Sequence, residues 1–236
     1  MKVLVIIPAY NEEENIVRVV ENLRTNYPQY DYVVINDCST DSTESILKSH
    51  GYSYINLPVN LGIGGGVQTG YQYAAQNGYD VAVQMDGDGQ HDPAYIEALI
   101  RPIGDGTADM SVGSRFIEKR GFQTSFMRRV GIRFLSGVIR FCCGARITDA
   151  TSGFRATNAE ATAFFAKTYA KDYPEPEAIV VASRCGFGVC EVPVQMKERV
   201  GGVSSIKAMK SVYYMIKVTL ALLIAKIGLP KKKRSV

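Results

Sequence analysis

No tryptophan occurs among the 236 residues, and histidine is confined to His50 and His91. A three-histidine metal centre is therefore excluded, and a histidine-based triad has few places to sit. Cysteine occurs at an odd five positions, Cys38, Cys142, Cys143, Cys185 and Cys190, with no C-x-x-C spacing. That argues against a disulfide framework or a zinc ribbon and fits a reducing compartment. Long apolar runs are missing too. The opening MKVLVIIPAY turns polar too soon for a signal peptide and reads better as a buried first strand. Val218–Ala225 is bounded by Lys217 and Lys226, well short of the ~20 apolar residues that span a membrane.

What is present is the composition of a folded domain, 46% hydrophobic and 21% charged. Charge is unevenly spread: residues 1–196 carry a net −5 and residues 197–236 a net +9. A basic end of this kind attracts nucleic acid or an anionic membrane surface. The absence of any zinc-finger or RNA-binding motif disfavours nucleic acid.

The first 113 residues alternate between short apolar runs and helical periodicity. Strands are expected at 2–7 (closed by Pro8), 32–36, 52–57, 80–85 and 108–113. Helices are expected over 12–24, from the caps Ser39, Thr40 and Asp41 to Ser49, and from Asp92-Pro93, while residues 60–78 are expected to run from a Gly-rich loop into a helix. The pattern implies an α/β fold, a mostly parallel sheet with helices on both faces. Ligands in such sheets bind beyond the carboxyl ends of the strands. Three polar groups sit at those ends: Pro8-Tyr10-Asn11-Glu12, Asn36-Asp37 and Asp86-Asp88.

Residues 123–146 predict a basic amphipathic helix. Arg129, Arg133 and Arg140 fall within about 40° of one another on the helical wheel. Such a helix is either an ordinary surface helix with snorkelling arginines or a contact for an anionic surface or substrate. A further strand is expected at 187–194. Residues 206–229 read as a C-terminal helix, followed by Lys231, Lys232, Lys233 and Arg234. A helix of this kind with a polybasic cluster lies on a membrane, or else docks on the domain or in a homodimer.

The sharpest local feature is Asp86-Gly87-Asp88-Gly89-Gln90. Two carboxylates at i and i+2 can reach one hard cation, and Gln90 adds a neutral oxygen. Mg²⁺ and Mn²⁺ prefer this donor chemistry and commonly meet substrate phosphates in the same site. Residues 60–66 (NLGIGGG) either bring backbone N–H groups, such as that of Gly64, to phosphates or let a helix pack closely. They lack the Lys-Ser/Thr of a P-loop, and G-x-G-x-x-G fails at Val67.

Seven blocks in order, VLVIIPAYNEEENI (3–16), VVINDCSTDST (33–43), NLGIGGGVQTGY (60–71), VQMDGDGQHDP (83–93), GSRF (113–116), DATSGFR (149–155) and VPVQMKERVGGVSS (192–205), resemble the family 2 glycosyltransferases of GT-A fold. Within that family they are similar to the branch of dolichyl-phosphate mannose synthase and bacterial polyprenyl-phosphate glycosyltransferases. The resemblance implies a catalytic domain over 1–205, with a nucleotide-sugar half (1–113) and an acceptor-side half (114–205), and a C-terminal amphipathic helix and polybasic tail over 206–236. It implies that Pro8, Tyr10, Glu12, Asp37 and Asp41 form the nucleotide pocket. Asp86, Asp88 and Gln90 would hold Mg²⁺ or Mn²⁺. Arg115, Arg199, Ser204, Ser205 and Lys207 would meet the diphosphate or acceptor phosphate. Asp149, with Ser152 and Gly153, belongs to the acceptor-side loop and is the candidate base for a hydroxyl acceptor.

The expected activity is inverting transfer of a hexose from a nucleotide-diphospho-sugar, UDP-glucose or similar, to a polyprenyl phosphate such as undecaprenyl phosphate. Members of the branch often carry two transmembrane helices after the catalytic domain, which this chain lacks. It is therefore expected to sit peripherally on the cytoplasmic face of a bacterial membrane through Arg129, Arg133, Arg140 and Lys231–Arg234, alone, as a homo-oligomer or with a membrane partner. A transferase acting on a glycan hydroxyl and a non-enzymatic nucleotide-binding scaffold are the alternatives.

Overall fold

The computed structural model describes residues 1–118, 126–198 and 208–229. Every residue of β1 (Val3–Ala9) is buried, because the strand is covered on both faces. Leu4 and Ile6 join one core cluster, and Val3, Val5 and Ile7 the other. Each such side chain contributes roughly 1.5–3 kcal/mol on burial. This two-sided burial explains why the segment reads as a continuous apolar run rather than an alternating one.

Around β1 the described residues build a seven-stranded sheet in the order β3-β2-β1-β4-β6-β5-β7. The strands are β2 (Asp31–Asn36), β3 (Tyr54–Asn56), β4 (Val81–Gln84), β5 (Met110–Ser114), β6 (Arg155–Asn158) and β7 (Val189–Pro193). All neighbours run parallel except β6, which is antiparallel to both β4 and β5. Helices α1 (Ile16–Asn26), α2 (Thr43–Ser49) and α4 (Ile96–Gly104) cover one face. Helices α3 (Gly62–Gln76), α5 (Phe126–Cys143), α6 (Ala159–Lys167), α7 (Pro174–Cys185) and α8 (Ala208–Gly228) cover the other. This is the GT-A arrangement the resemblance implied.

Pro8 does not close the first strand as the sequence suggested; it lies inside it, paired with Ile35 of β2. The β1–β4 ladder has already ended at Ile6↔Gln84, and the Pro8 carbonyl on that side accepts from Gly87 N–H at 3.3 Å. The donor that proline lacks would therefore face a side where the ladder has ended. The glycines at 62–66 belong to α3 itself rather than to a loop before it. Asp92 caps its helix as expected, its carboxylate accepting from Ala94 N–H at 3.1 Å. Among the described residues no helix is long and apolar enough to cross a membrane.

Candidate active site

The loops after β1 and β2 are laced together. Asn11 and Cys38 both take positive φ, 56° and 57°. Asn11 N–H donates to Ser39 Oγ at 3.0 Å, and Thr40 N–H donates to Asn11 Oδ1 at 2.8 Å. Asp41 accepts from Thr43 N–H at 2.9 Å and Glu13 N–H at 3.2 Å, so its carboxylate ties the two loops to each other. Asp37, buried, accepts from Leu61 N–H at 2.7 Å and fastens these loops to the start of α3. Tyr10 stands exposed at the rim, Glu12 is buried and accepts from Asn15 Nδ2 at 2.9 Å.

At Gly64 the structure shows close packing. Its N–H donates to Lys171 O at 3.2 Å, and a Cβ there would lie 2.0 Å from Ala170 O.

The acidic loop follows β4 directly. Gln84 Nε2 donates to Asp86 Oδ1 at 3.3 Å, and Gln90 N–H donates to Asp88 Oδ1 at 2.9 Å across a turn in which Gly89 has φ 78°. A Cβ on Gly87 would meet Pro8 O at 3.1 Å and Glu12 Cγ at 3.7 Å. The acidic loop is thus pressed against the loop that follows β1. Residues 194–197 flank its other side: Lys197 N–H donates to Gln90 O at 2.9 Å, and Lys197 Nζ pairs with Asp92 at 2.7 Å. Arg199, Ser204, Ser205, Lys207 and the cluster Lys231–Arg234 lie outside the described residues.

The loop before β6 reaches the acidic loop because β6 runs antiparallel, placing its first residue, Arg155, opposite Gln84 at the end of β4. A Cβ on Gly153 would lie 2.9 Å from Gln84 Nε2 and 3.0 Å from Asp86 Oδ2, so a larger residue there would press on both side chains. Asp149 is fully buried and bidentate with Arg115, with Nε–Oδ2 and Nη2–Oδ1 both 2.7 Å. Glu191 of β7 accepts from the N–H groups of Thr148 and Asp149, each at 2.8 Å, and holds this segment in place.

Several polar residues of the site were not singled out from sequence. Arg155 has no exposed surface; it donates to the carbonyls of Ser152 and of Glu175, the latter at 3.2 Å. Glu175 sits at the start of α7. Burial raises its carboxyl above the usual range and Asp86 pushes it the same way, while Arg155 opposes both. His91 is buried against Phe154 and accepts from Asp86 N–H. Burial and the neighbouring Arg115 lower the pKa of Arg128, with Tyr214 and Asp149 opposing. The sequence signals for these groups were present (one histidine beside the acidic pair, Pro174 opening a helix that Gly186 ends) but carried no indication of what they touch.

Arg129, Ile132, Arg133 and Ser136 of α5, together with Phe116, Ile147 and Thr148, line a cleft of about 250 Å³. Arg140 is exposed beyond it. Met127, Val130, Phe134 and Phe141 of α5 and Tyr213, Ile216, Leu220, Ile224 and Ile227 of α8 are all exposed. Lys226 Nζ lies 3.4 Å from the Phe141 ring centroid.

Among the described residues no group of three or more His, Cys, Asp or Glu is arranged to hold a metal. Asp86, Asp88 and Gln90 offer two carboxylates and one amide, a hard-oxygen set that fits a cation whose remaining ligands are phosphate oxygens and water.

Comparison with known proteins agrees with this architecture. The chain is 32% identical over 213 residues to the UDP-N-acetylglucosamine–dolichyl-phosphate N-acetylglucosaminyltransferase of Methanococcus voltae, covering 82% of this chain and 84% of the relative. It is 30% identical over 218 residues to the polyprenol monophosphomannose synthase of Mycolicibacterium smegmatis, covering 87% and 81%. Among solved structures, glucosyl-3-phosphoglycerate synthase from Mycobacterium tuberculosis with Mn²⁺, UDP-glucose and phosphoglyceric acid superposes with a TM-score of 0.72 at 18% identity, over 97% of this chain and 80% of that one. Residues 4–164, from β1 through the acidic loop and the 149–155 segment into α6, match the profile of Glycosyl transferase family 2, and with relatives of this similarity the chain belongs to that family.

Proposed function

We propose that the protein transfers a hexose, with inversion, from a nucleotide-diphospho-sugar of the UDP class to a polyprenyl phosphate at an anionic membrane surface. The observation that carries the choice of acceptor is the state of Asp149. Both of its oxygens accept from Arg115, and it has no exposed surface. A carboxylate held this way positions a guanidinium and is poorly placed to take a proton from an incoming hydroxyl. A phosphate monoester needs no such base, since its oxygen is already ionised near neutral pH. One relative named for dolichyl-phosphate and one named as a polyprenol monophosphomannose synthase support the same reading, as does the cleft lined by Arg129 and Arg133 with Phe116, Ile132 and Ile147.

In this scheme Pro8, Tyr10, Glu12 and Asp37 surround the nucleotide, while Asp41 acts by fastening the loops. Asp86, Asp88 and Gln90 hold Mg²⁺ or Mn²⁺, whose chemistry is to neutralise charge on the leaving diphosphate. Gly153 lets the acceptor loop close on Asp86, and Arg115 and Arg128 supply positive charge where the acceptor phosphate enters. The exposed apolar faces of α5 and α8 rest on lipid, with Arg140, Lys226 and the basic residues 231–234 toward anionic headgroups. Arg199, Ser204, Ser205 and Lys207, outside the described residues, are assigned to the diphosphate. A homo-oligomer or a membrane partner is compatible with the same surface.

Glu175 favours a second reading. A carboxyl with a raised pKa beside Asp86 is suited to be the general base for a glycan hydroxyl. Both are tested by measuring nucleoside diphosphate release from UDP- and GDP-sugars with Mg²⁺ or Mn²⁺, with and without undecaprenyl phosphate. Release that depends on the lipid phosphate and on one donor supports the first reading; release that ignores the lipid phosphate and follows an added glycan supports the second.

A further inference from the structure

His91 stands one residue beyond Gln90 and is 7% exposed. Three segments meet on it. Its Nδ1 accepts from Asp86 N–H at 3.0 Å. Its ring stacks on Phe154 with centroids 4.8 Å apart and planes 9° from parallel. Its backbone forms an antiparallel bridge with Met196. Because Nδ1 accepts, the ring proton belongs on Nε2, and Nε2 lies 3.8 Å from Asp86 Oδ2. One side chain therefore holds the Asp86 peptide and brings its second ring nitrogen to within 3.8 Å of the Asp86 carboxylate. Phe154 joins it to the loop whose Gly153 abuts the same carboxylate.

We propose that His91 is a positioning residue, whose Nε2-protonated ring fixes the main chain and carboxylate of Asp86 in the orientation that receives a divalent cation with a nucleoside diphosphate, and couples that orientation to residues 149–154. The inference rests on reading Asp86–Gln90 as the cation–diphosphate site. A ring that served packing alone would need only its stack on Phe154; the acceptor at Nδ1 is the additional feature, and the two can be separated.

His91→Phe keeps a ring against Phe154 and removes the acceptor. His91→Asn places Oδ1 the same number of bonds from Cα as Nδ1 and removes the ring. Mn²⁺ binding to the full chain in the presence of UDP is followed by the loss of the free Mn²⁺ paramagnetic resonance signal, and Tm without ligand by circular dichroism. His91→Phe is expected to raise the Mn²⁺ Kd by roughly 10–100-fold, the range for lost partners of metal ligands, and His91→Asn by less than about threefold. Tm is expected to fall further in His91→Asn. Affinity would then follow the acceptor and stability the ring.

Wild-type affinity in His91→Phe, or a loss in His91→Asn as large as in His91→Phe, overturns the proposal while leaving the cation–diphosphate site standing. Should His91→Phe not fold, His91→Asn decides alone: near wild-type affinity supports the proposal, and a tenfold loss overturns it. Failure of the wild type to bind Mn²⁺ with UDP overturns the site reading and this proposal with it.

Discussion

Asp149→Ala would remove a carboxylate with no exposed surface that faces the guanidinium of Arg115, 7% exposed. Two charge-assisted hydrogen bonds of 2.7 Å are lost, together with the bond from Arg115 N–H at 3.2 Å. The contact from Arg115 Nη2 to Thr151 Oγ1, 3.3 Å, remains but supplies no negative charge. Removing one partner of a buried pair costs about 3–5 kcal/mol. For a chain of this size each kcal/mol moves Tm by ~2–4 °C, so Tm should drop by roughly 6–20 °C. Arg115→Met should cost a similar amount by stranding the carboxylate.

The double variant Arg115→Met/Asp149→Ala strands neither charge and should be no worse than either single one, a coupling of at least ~2 kcal/mol. Urea unfolding followed by circular dichroism near neutral pH measures all three. The Glu191 bonds to the N–H groups of residues 148 and 149 survive in every variant, since they use the main chain. A loss below ~1 kcal/mol in Asp149→Ala, or single losses that add within ~0.5 kcal/mol, would refute the reasoning.

Asp88→Ala should abolish sugar transfer and its divalent-metal dependence with Tm changed little; unchanged turnover in the nucleoside diphosphate assay removes the acidic loop from the site. Glu175→Gln should change turnover with undecaprenyl phosphate by less than about threefold if the acceptor is a phosphate, whereas loss of a general base costs ~10²–10⁴-fold. The same variant should also be the more stable protein at neutral pH. The raised carboxyl pKa means the folded state holds the Glu175 proton more tightly than the unfolded state, so wild-type stability declines as pH rises from the ordinary Glu value through the raised one. The advantage of Gln should therefore vanish below pH ~4 in urea titrations. Gly64→Ala should destabilise by ~1–3 kcal/mol, because its Cβ would meet backbone at 2.0 Å. Leu220→Ser/Ile224→Ser, or deletion of residues 231–236, should weaken sedimentation with anionic vesicles and spare donor hydrolysis in solution; undiminished sedimentation would remove α8 or the tail from the membrane surface.

The first 113 residues were legible because their signals are local. Apolar runs ending at Pro8, Asn36 and Asp86 mark strands whose ends must gather on one edge, and Asp92-Pro93 announces its own helix. The expected strand at 187–194 corresponds to β7 in the same way. The stretch from 155 to 185 was not resolved into β6, α6 and α7. β6 is four residues long and its buried members are Arg155, Ala156 and Thr157, a pattern that reads as strand only beside β4 and β5. Asn158 does cap α6, accepting from Ala161 N–H at 2.8 Å, yet a lone asparagine is too common to mark a boundary unaided. Within the site, residue type suggested metal chemistry at Asp86 and Asp88 and the resemblance implied phosphate contact at Arg115, but neither showed that Asp149 pairs with Arg115 and holds its guanidinium. Nor could either show that Asp41 latches two loops or that His91 lies behind Asp86. Those are long-range pairings, and no spacing encodes them.

The reversal of β6 also bears on how the chain is made. When β4 has left the ribosome its outer edge has no partner. β5, the next strand in sequence, cannot fill it, because β6 occupies that position. The missing strand arrives about 70 residues later, roughly 4–15 s at ordinary rates of synthesis. Through that interval the nascent chain exposes an unpaired, strongly apolar strand edge, the kind that recruits other strands. Chaperone dependence and aggregation on overexpression should therefore depend on when residues 155–158 emerge, and synonymous changes that slow translation between 115 and 154 should lower the soluble yield without altering a single amino acid.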